Sequence, residues 1–126
     1  MLTIAKRFEF HAAHSLPNHK GKCQNLHGHT YVLEVEVAEL PLKIHKEEEQ
    51  GMVMDFGRLK EIVNTNVIDK LDHSNLNEHY LNPTAEVMVN SIWLDLVNKL
   101  SAEDIQLQSL RLWETNTSYA KRTRNS

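Results

Sequence analysis

The chain has 126 residues, of which 40% are hydrophobic and 25% charged, and its formal net charge is -3 at pH 7. This length fits one domain with one hydrophobic core, which we predict to span residues 1–126. The acidic balance argues against a general nucleic-acid binder, and no apolar run approaches a membrane span in length. Charges interrupt the N-terminal MLTIAKRFEF, which is unlike a signal peptide, and a single cysteine offers no intramolecular disulfide. We therefore expect a soluble, cytoplasmic protein.

Two strands are predicted in the first third of the chain. Residues 2–14 alternate, and one phase carries Ile4, Phe8, Phe10, Ala12 and His14. A loop rich in turn formers and lysine, LPNHKGKCQN, follows. Residues 27–38 alternate more strongly, and one face carries His27, His29, Tyr31, Leu33, Val35 and Val37. We expect that face to be buried.

Two helices are predicted in the middle of the chain. An apolar stripe predicts a helix over residues 55–69, with Asp55 as its N-cap. The segment LDHSNLNEHYLN lacks a period and indicates a loop. A second helix is predicted to begin near NPTAE, with Pro83 at its first helical position.

Two further strands are predicted near the C-terminus. Residues 104–114 read as a strand whose apolar phase shifts between Leu107 and Leu110, which is typical of a bulge. A last strand is predicted over residues 118–123. The order β-β-α-α-β-β favours an α+β fold in which a four-stranded antiparallel sheet carries two helices on one face.

Three histidines share the apolar phases of the first two predicted strands. His27 and His29 point the same way, and His14 can reach them if the two strands pair. Neutral imidazole is a good zinc ligand, and the metal bonds offset the cost of burial. Three histidines would leave a fourth position open for water or substrate. Core histidines satisfied by hydrogen bonds are the alternative, and the third histidine in phase favours metal over that alternative.

The only cysteine, Cys23, lies four residues before His27, in a loop with Lys20 and Lys22. Nearby cations favour the reactive thiolate. A small buried residue is an equally good interpretation. Cys23 as a metal ligand is a third possibility, but it would leave His14 without a role.

Three other groups of polar residues are candidates for a site. Asp72 precedes His73 in a predicted loop, and a histidine beside a carboxylate can move protons. Glu114, in WET at a strand end, could accept paired N–H donors from a heterocycle such as a pterin or purine. Thr84 either serves the start of the second helix or faces a ligand. Each alternative, a plain surface or capping role, stays open.

The ordered set of motifs resembles the 6-pyruvoyltetrahydropterin synthase family, and most closely its bacterial 6-carboxytetrahydropterin synthase branch. The resemblance covers nearly the whole chain and rests on FHAAHSL (10–16), CQNLHGH (23–29), MDFGRLK (54–60), LDHSNLN (71–77), NPTAE (82–86) and WET (113–115). The family usually has Ser or Glu where this chain has His11. His11 lies three residues before His14, so on a strand it points to the opposite face, and we exclude it from the metal set.

The resemblance implies a role for each candidate. Zinc would be held by His14, His27 and His29, while Cys23 would act as the general base. Asp72 and His73 would form the proton relay, and Glu114 would anchor the pterin ring and take part in the relay. The implied fold is the tunnelling fold, and the implied assembly is a homohexamer with active sites at subunit interfaces. We assign Thr84, Lys20 and Lys22 as further substrate contacts, the lysines toward a triphosphate.

The expected activity is that of a zinc-dependent lyase of queuosine and deazapurine biosynthesis. It would convert 7,8-dihydroneopterin triphosphate to 6-carboxytetrahydropterin, with release of acetaldehyde and triphosphate. One alternative is 6-pyruvoyltetrahydropterin synthase, which eliminates triphosphate in biopterin synthesis at the same kind of site. A second alternative is a non-catalytic, zinc-stabilised binding module in which Cys23 is the fourth ligand.

Overall fold

A computed structural model of the chain describes residues 1–16 and 18–125 and, at Cys23, the backbone. Five strands form one sheet in the order β3-β1-β2-β4-β5. Their bounds are β1 Ile4–His14, β2 His27–Glu39, β3 Ser74–Asn75, β4 Ile105–Thr115 and β5 Ser118–Thr123. All neighbours are antiparallel except β3, which runs parallel to β1. The predicted α+β fold is confirmed.

The sheet has five strands rather than the predicted four. The additional strand, β3, pairs Ser74 and Asn75 with Ala12 and Ala13 at the outer edge of β1. It lies inside the segment that we predicted to be a loop. Two residues are too few to show an alternating pattern, so its pairing is set by the surrounding structure.

Two helical stretches pack on one face of the sheet. The first comprises α1 (Phe56–Val63), a π-helical segment (Asn64–Ile68) and α2 (Asp69–Leu71), and the second is α3 (Ala85–Ser101). The Asp55 carboxylate accepts a hydrogen bond from the Gly57 N–H at 2.8 Å, which confirms the predicted N-cap. In the described part of the chain, no helix has both the length and the apolar character needed to cross a membrane.

Helix α3 begins later than the sequence prediction placed it. Thr84 is extended and its hydroxyl accepts a hydrogen bond from the Val87 N–H at 3.2 Å, so Thr84 is the N-cap and the helix begins at Ala85. Pro83 therefore precedes the cap instead of filling the first helical position. A threonine cap satisfies one of the free N–H groups at the helix start, which fixes the boundary.

The predicted bulge in β4 is confirmed. Glu36 lies opposite Ser109, and Val37 lies opposite Leu107, so Gln108 has no partner on β2. The extra residue lets Leu107 and Leu110 both enter the core, although an ideal strand would point them to opposite faces.

The core lies between the helices and one face of the sheet, which we call the core face. Its largest fully buried side chains are Tyr31, Phe10, Leu33, Leu59, Leu71, Leu76, Met88, Ile92, Leu96, Leu100, Ile105 and Leu107. His14, also fully buried, continues this face at the end of β1. The apolar pattern of the strands thus carries the histidines to the edge of the core.

Two leucines of α3 provide a matched test of this packing. Leu96 is 0% exposed and Leu94 is 69% exposed. We expect Leu96→Ala to lower the free energy of unfolding by about 2–5 kcal/mol, because it leaves a cavity in the core. Leu94→Ala should change it by less than about 0.5 kcal/mol. Urea unfolding at one fixed protein concentration measures both, and equal losses would contradict the assigned helix face.

Candidate metal centre and active site

Three histidine side chains meet where β1 ends and β2 begins. The strand register places His14 opposite His27, and His29 follows two residues later on the same face. The ring centroids are 4.7 to 5.0 Å apart, and one nitrogen from each ring lies within 4.8 Å of the others. The pairing of two strands therefore converts a sequence pattern into a cluster of three potential metal ligands.

Backbone carbonyls orient two of the three rings. Nδ1 of His14 lies 3.0 Å from the Pro83 carbonyl oxygen, and Nδ1 of His27 lies 2.7 Å from the Asn25 carbonyl oxygen. Because a carbonyl can only accept, these contacts favour the tautomer with the hydrogen on Nδ1 and the lone pair on Nε2. A metal-ligating histidine is usually held in this way, with its second nitrogen bonded to a carbonyl or carboxylate.

Two of these nitrogens lack a hydrogen-bond partner in the described part of the chain. Nε2 of His14 and Nε2 of His29 are both buried and unpaired. A buried polar nitrogen without a partner costs free energy, and a bound cation removes that cost. Three imidazoles suit zinc, and they also suit other divalent transition metals. The residues present thus fit a metal ion.

Burial keeps the His14 and His29 rings in the form that a metal needs. It lowers the pKa of His14 and of His29 below the ordinary value of 6.5, because the imidazolium ion loses solvation there. The negative charge of Glu114 acts in the opposite direction but is the smaller influence. The two histidines are therefore neutral at pH 7 and can donate a lone pair.

Glu114, near the end of β4, reaches this cluster. Its Oε1 lies 3.2 Å from Nε2 of His14 and 3.4 Å from Nε2 of His29, at angles that give neither nitrogen a hydrogen bond. Beside it is a cavity of about 230 Å³, which is also lined by Glu86 and by Tyr119. This cavity presents carboxylates beside an aromatic ring and so suits a flat group with N–H donors.

Asp72 and His73 form a second polar pair. Nδ1 of His73 lies 3.0 Å from Oδ2 of Asp72, and Oδ1 of Asp72 accepts a hydrogen bond from the His11 N–H at 2.9 Å. That N–H, and secondarily His73, hold the pKa of the Asp72 carboxyl below its usual value. His73 has a φ of 58°, a left-handed conformation that is uncommon outside glycine and concentrates at functional sites. The pair is thus an ionised carboxylate that orients an exposed histidine.

This pair opens on the sheet face opposite the histidine cluster. The His73 ring lies 6.0 Å from the His11 ring, and His11 Nδ1 is 3.1 Å from Thr30 Oγ1. A shallow cavity of about 490 Å³ is lined there by His73, by the outward-phase Ala13 and Gly28 and, among other residues, by Ala12 and His29 of the inward phase. The structure brings His14, His27, His29 and Glu114 together and leaves Asp72 and His73 outside this cluster, beside His11.

The remaining predicted residues lie around the cluster. Lys20 and Lys22 are exposed in the loop between β1 and β2, where Cys23 lies in a short 3-10 turn. The Cys23 side chain is outside the described part of the structure. Thr84 caps α3 and directly follows Pro83, whose carbonyl holds His14.

Sequence reasoning did not identify the groups that orient the histidines. The carbonyls of Pro83 and Asn25 take part through the backbone, so their side chains gave no signal. Tyr31 was identified only as a core residue, yet its hydroxyl lies 3.0 Å from Nδ1 of His14. Burial, and then the charge of Glu114, raise the pKa of the Tyr31 phenol, so it stays protonated beside the ring.

A sheet backed on one face by helices, with a three-histidine centre at its end, defines an enzyme of the tunnelling-fold class. The family model for 6-pyruvoyl tetrahydropterin synthase matches residues 3–125, and the chain belongs to this family.

The relatives support the same assignment. The 6-carboxy-5,6,7,8-tetrahydropterin synthase of Haemophilus influenzae is 35% identical over 96% of this chain and 98% of its own. Several further relatives of that name are 30% to 41% identical. The dihydroneopterin monophosphate aldolase of Pyrococcus furiosus is 39% identical over 90% of each chain. The solved Caenorhabditis elegans 6-pyruvoyl tetrahydropterin synthase covers 98% of this chain and 96% of its own, with a TM-score of 0.79 and 25% identity. The chain is therefore a pterin-processing lyase similar to 6-carboxytetrahydropterin synthase.

The lowered histidine pKa values predict a pH dependence for the metal-free protein. Below pH 6.5, His14 and His29 take up protons in the unfolded chain but stay neutral in the folded chain, where their pKa values are lower. The free energy of unfolding should therefore fall as the pH is lowered from about 7.5 to about 5.5. Urea unfolding in the presence of a chelator measures this dependence. The control is a His14→Gln/His29→Gln double variant, which should show a shallower dependence, and identical slopes in the two proteins would contradict the assignment.

Proposed function

We propose that the chain is a zinc-dependent, single-domain lyase that converts 7,8-dihydroneopterin triphosphate to 6-carboxytetrahydropterin, releasing acetaldehyde and triphosphate. We place it in queuosine and deazapurine biosynthesis in the cytoplasm. The observation that carries the proposal is the pair of buried, unpartnered Nε2 atoms on His14 and His29, beside a cavity lined by Glu114. The relatives named 6-carboxytetrahydropterin synthase support this choice of substrate and product.

His14, His27 and His29 would hold the metal. A bound zinc ion would supply Lewis-acid chemistry toward the hydroxyl oxygens of the substrate side chain, which would make the attached C–H bonds more acidic. The carbonyls of Pro83 and Asn25 keep the Nε2 lone pairs of His14 and His27 turned toward the ion. These two Nε2 atoms are thus oriented for metal binding by the protein alone.

Glu114 binds the pterin ring. The adjacent N–H groups of a pterin can donate to one carboxylate, and such charge-assisted bonds are the strong ones. The exposed ring of Tyr119 lines the same cavity and offers a surface on which the heterocycle can stack. In the proposed binding mode, the pterin lies in this cavity and its side chain extends past Glu114 toward the histidines.

Proton transfer involves Cys23 and the pair of Asp72 and His73. Cys23, as a thiolate, removes the proton from the side-chain carbon, and His73, oriented by Asp72, returns protons during the rearrangement. Because this pair lies outside the histidine cluster of its own chain, beside His11 on the outward face, we infer that it serves the metal centre of another copy of the chain. We therefore propose a homo-oligomer, with a homohexamer as the expected form and the active sites between subunits.

The triphosphate is assigned to Lys20 and Lys22, with Thr84 nearby. Both lysines are exposed in the loop that leads to His27, so they can approach a polyanion beside the metal. The Thr84 hydroxyl accepts from the Val87 N–H, which leaves its own hydrogen free to donate to a ligand. The positions of the three residues and the charges of the two lysines support these contacts.

Two enzymatic alternatives use the same site. The similarity to the Caenorhabditis elegans structure favours a 6-pyruvoyltetrahydropterin product as the second candidate. The similarity to the Pyrococcus furiosus aldolase would favour cleavage of a dihydroneopterin side chain, but the presence of Cys23 counts against it. A non-catalytic zinc module is the remaining alternative, and it requires Cys23 as a metal ligand.

Product analysis tests the proposal. Zinc-loaded protein incubated with 7,8-dihydroneopterin triphosphate should yield 6-carboxytetrahydropterin by mass, together with acetaldehyde in a separate assay. His27→Gln should lose at least about 100-fold of this activity, because a catalytic zinc needs its protein ligands. The matched control is His45→Gln, since His45 lies on a loop and contacts Glu39 at 2.7 Å.

The outcomes separate the alternatives. A pyruvoyl product without acetaldehyde would favour the second candidate and leave the site intact. No turnover by a metal-replete, assembled sample would contradict both enzymatic readings of this substrate.

A further inference from the structure

The carboxylate of Glu114 is in a position that hydrogen bonding does not explain. Its Oε1 lies 3.2 Å from Nε2 of His14, although this nitrogen makes no hydrogen bond and the Pro83 carbonyl favours a hydrogen on Nδ1 of that ring. An oxygen lone pair and a nitrogen lone pair would then face each other, which is repulsive. A cation between the two atoms turns the repulsion into two attractive bonds.

The distances fit a shared metal ion. Zinc binds imidazole nitrogen at about 2.0–2.1 Å and carboxylate oxygen at about 2.0–2.2 Å, so two ligands of a tetrahedral site are about 3.3 Å apart. Oε1 of Glu114 is 3.2 Å from one histidine nitrogen and 3.4 Å from another. Oε1 thus has the spacing of a metal ligand from two of the three histidine nitrogens.

The strand directs Glu114 to this place. Leu110, Leu112 and Glu114 alternate on the core face, so the carboxylate enters from the same side as the histidines. The pairing between β4 and β5 is irregular between Trp113 and Thr115. An irregularity of this kind can redirect the side chain at that position, here Glu114. Within residues 1–16 and 18–125, no lysine or arginine nitrogen lies within 4.0 Å of this carboxylate, so its charge is not otherwise balanced.

We propose that Glu114 is the fourth ligand of the metal in the substrate-free enzyme and that the pterin ring displaces it. This inference rests on the metal centre of the proposed function and adds a second state to its pterin-binding residue. Paired N–H donors of a heterocycle in the adjacent cavity would engage both oxygens of the carboxylate and so compete with the metal for Oε1. Displacement of Oε1 would free a metal position for the substrate hydroxyl.

Cobalt(II) substitution provides a test that needs no turnover. The affinity for cobalt(II), measured by competition with a chelator, should be at least about tenfold lower in Glu114→Gln than in the natural protein, because a charged ligand is lost. The visible absorption of the bound cobalt should also change in that variant. The matched control is Glu34→Gln, since Glu34 is a carboxylate on the opposite sheet face that pairs with Arg7 at 3.1 Å.

A pterin without a side chain tests the exchange itself. Its addition should shift the cobalt absorption of the natural protein toward the absorption of cobalt-loaded Glu114→Gln without pterin, because both states lack the carboxylate ligand. Glu114→Asp is the control for a general charge effect, because aspartate has the same charge but a shorter side chain that holds its oxygens farther from the metal. This variant should also alter the cobalt absorption. Unchanged affinity and absorption in folded Glu114→Gln would overturn the inference. Failure of the lyase assay with these cobalt results intact would overturn the proposed reaction and not the ligand assignment.

Discussion

Three imidazole rings meet in a mostly buried corner of the molecule. Their lone pairs need a partner there, and the rest of the site depends on this constraint. Burial keeps His14 and His29 neutral, and backbone carbonyls turn the lone pairs of His14 and His27 outward from their Nδ1 hydrogens. Without a cation, two buried nitrogens stay unpaired and a carboxylate faces one of them. A bound cation would give these atoms a partner and would offset the free energy that their burial costs.

The rest of the architecture follows from how the sheet presents its two faces. The core face carries the apolar side chains inward and ends in the histidines, so metal binding and core packing share one register. The opposite face carries the Asp72 and His73 pair at the short β3 edge. In the proposed mechanism both sets of groups act on one substrate, which requires two copies of the chain at each active site.

Much of the fold could be predicted because each strand and helix carries its own pattern. The alternation of β1 and β2, the Asp55 cap and the extra residue in β4 are all visible in a few neighbouring letters. The two-residue β3 and the π-helical segment within the first helical stretch were missed, because neither is long enough to show a period. Tertiary contacts determine both.

The site was predictable only as far as its side chains were chemically distinctive. Histidines on the apolar phases of two strands predicted a cluster. The backbone carbonyls that orient them could not be predicted, because every residue has a carbonyl. Glu114 was identified as a ligand for a heterocycle, but its approach to the histidines depends on the pairing of β4 with β2. The separation of His73 from the metal centre likewise depends on the two faces of the sheet, which no linear motif records. These relations are properties of the packed chain.

X-ray absorption at the zinc edge, on metal-loaded protein without substrate, tests the central claim most directly. The account predicts three imidazole ligands, with nitrogen and oxygen distances of about 2.0–2.2 Å and no sulfur at about 2.3 Å. A sulfur ligand would assign Cys23 to the metal and support a closed, structural site. Fewer than three imidazoles, or no metal uptake by the folded protein, would contradict the cluster of His14, His27 and His29 as a metal centre.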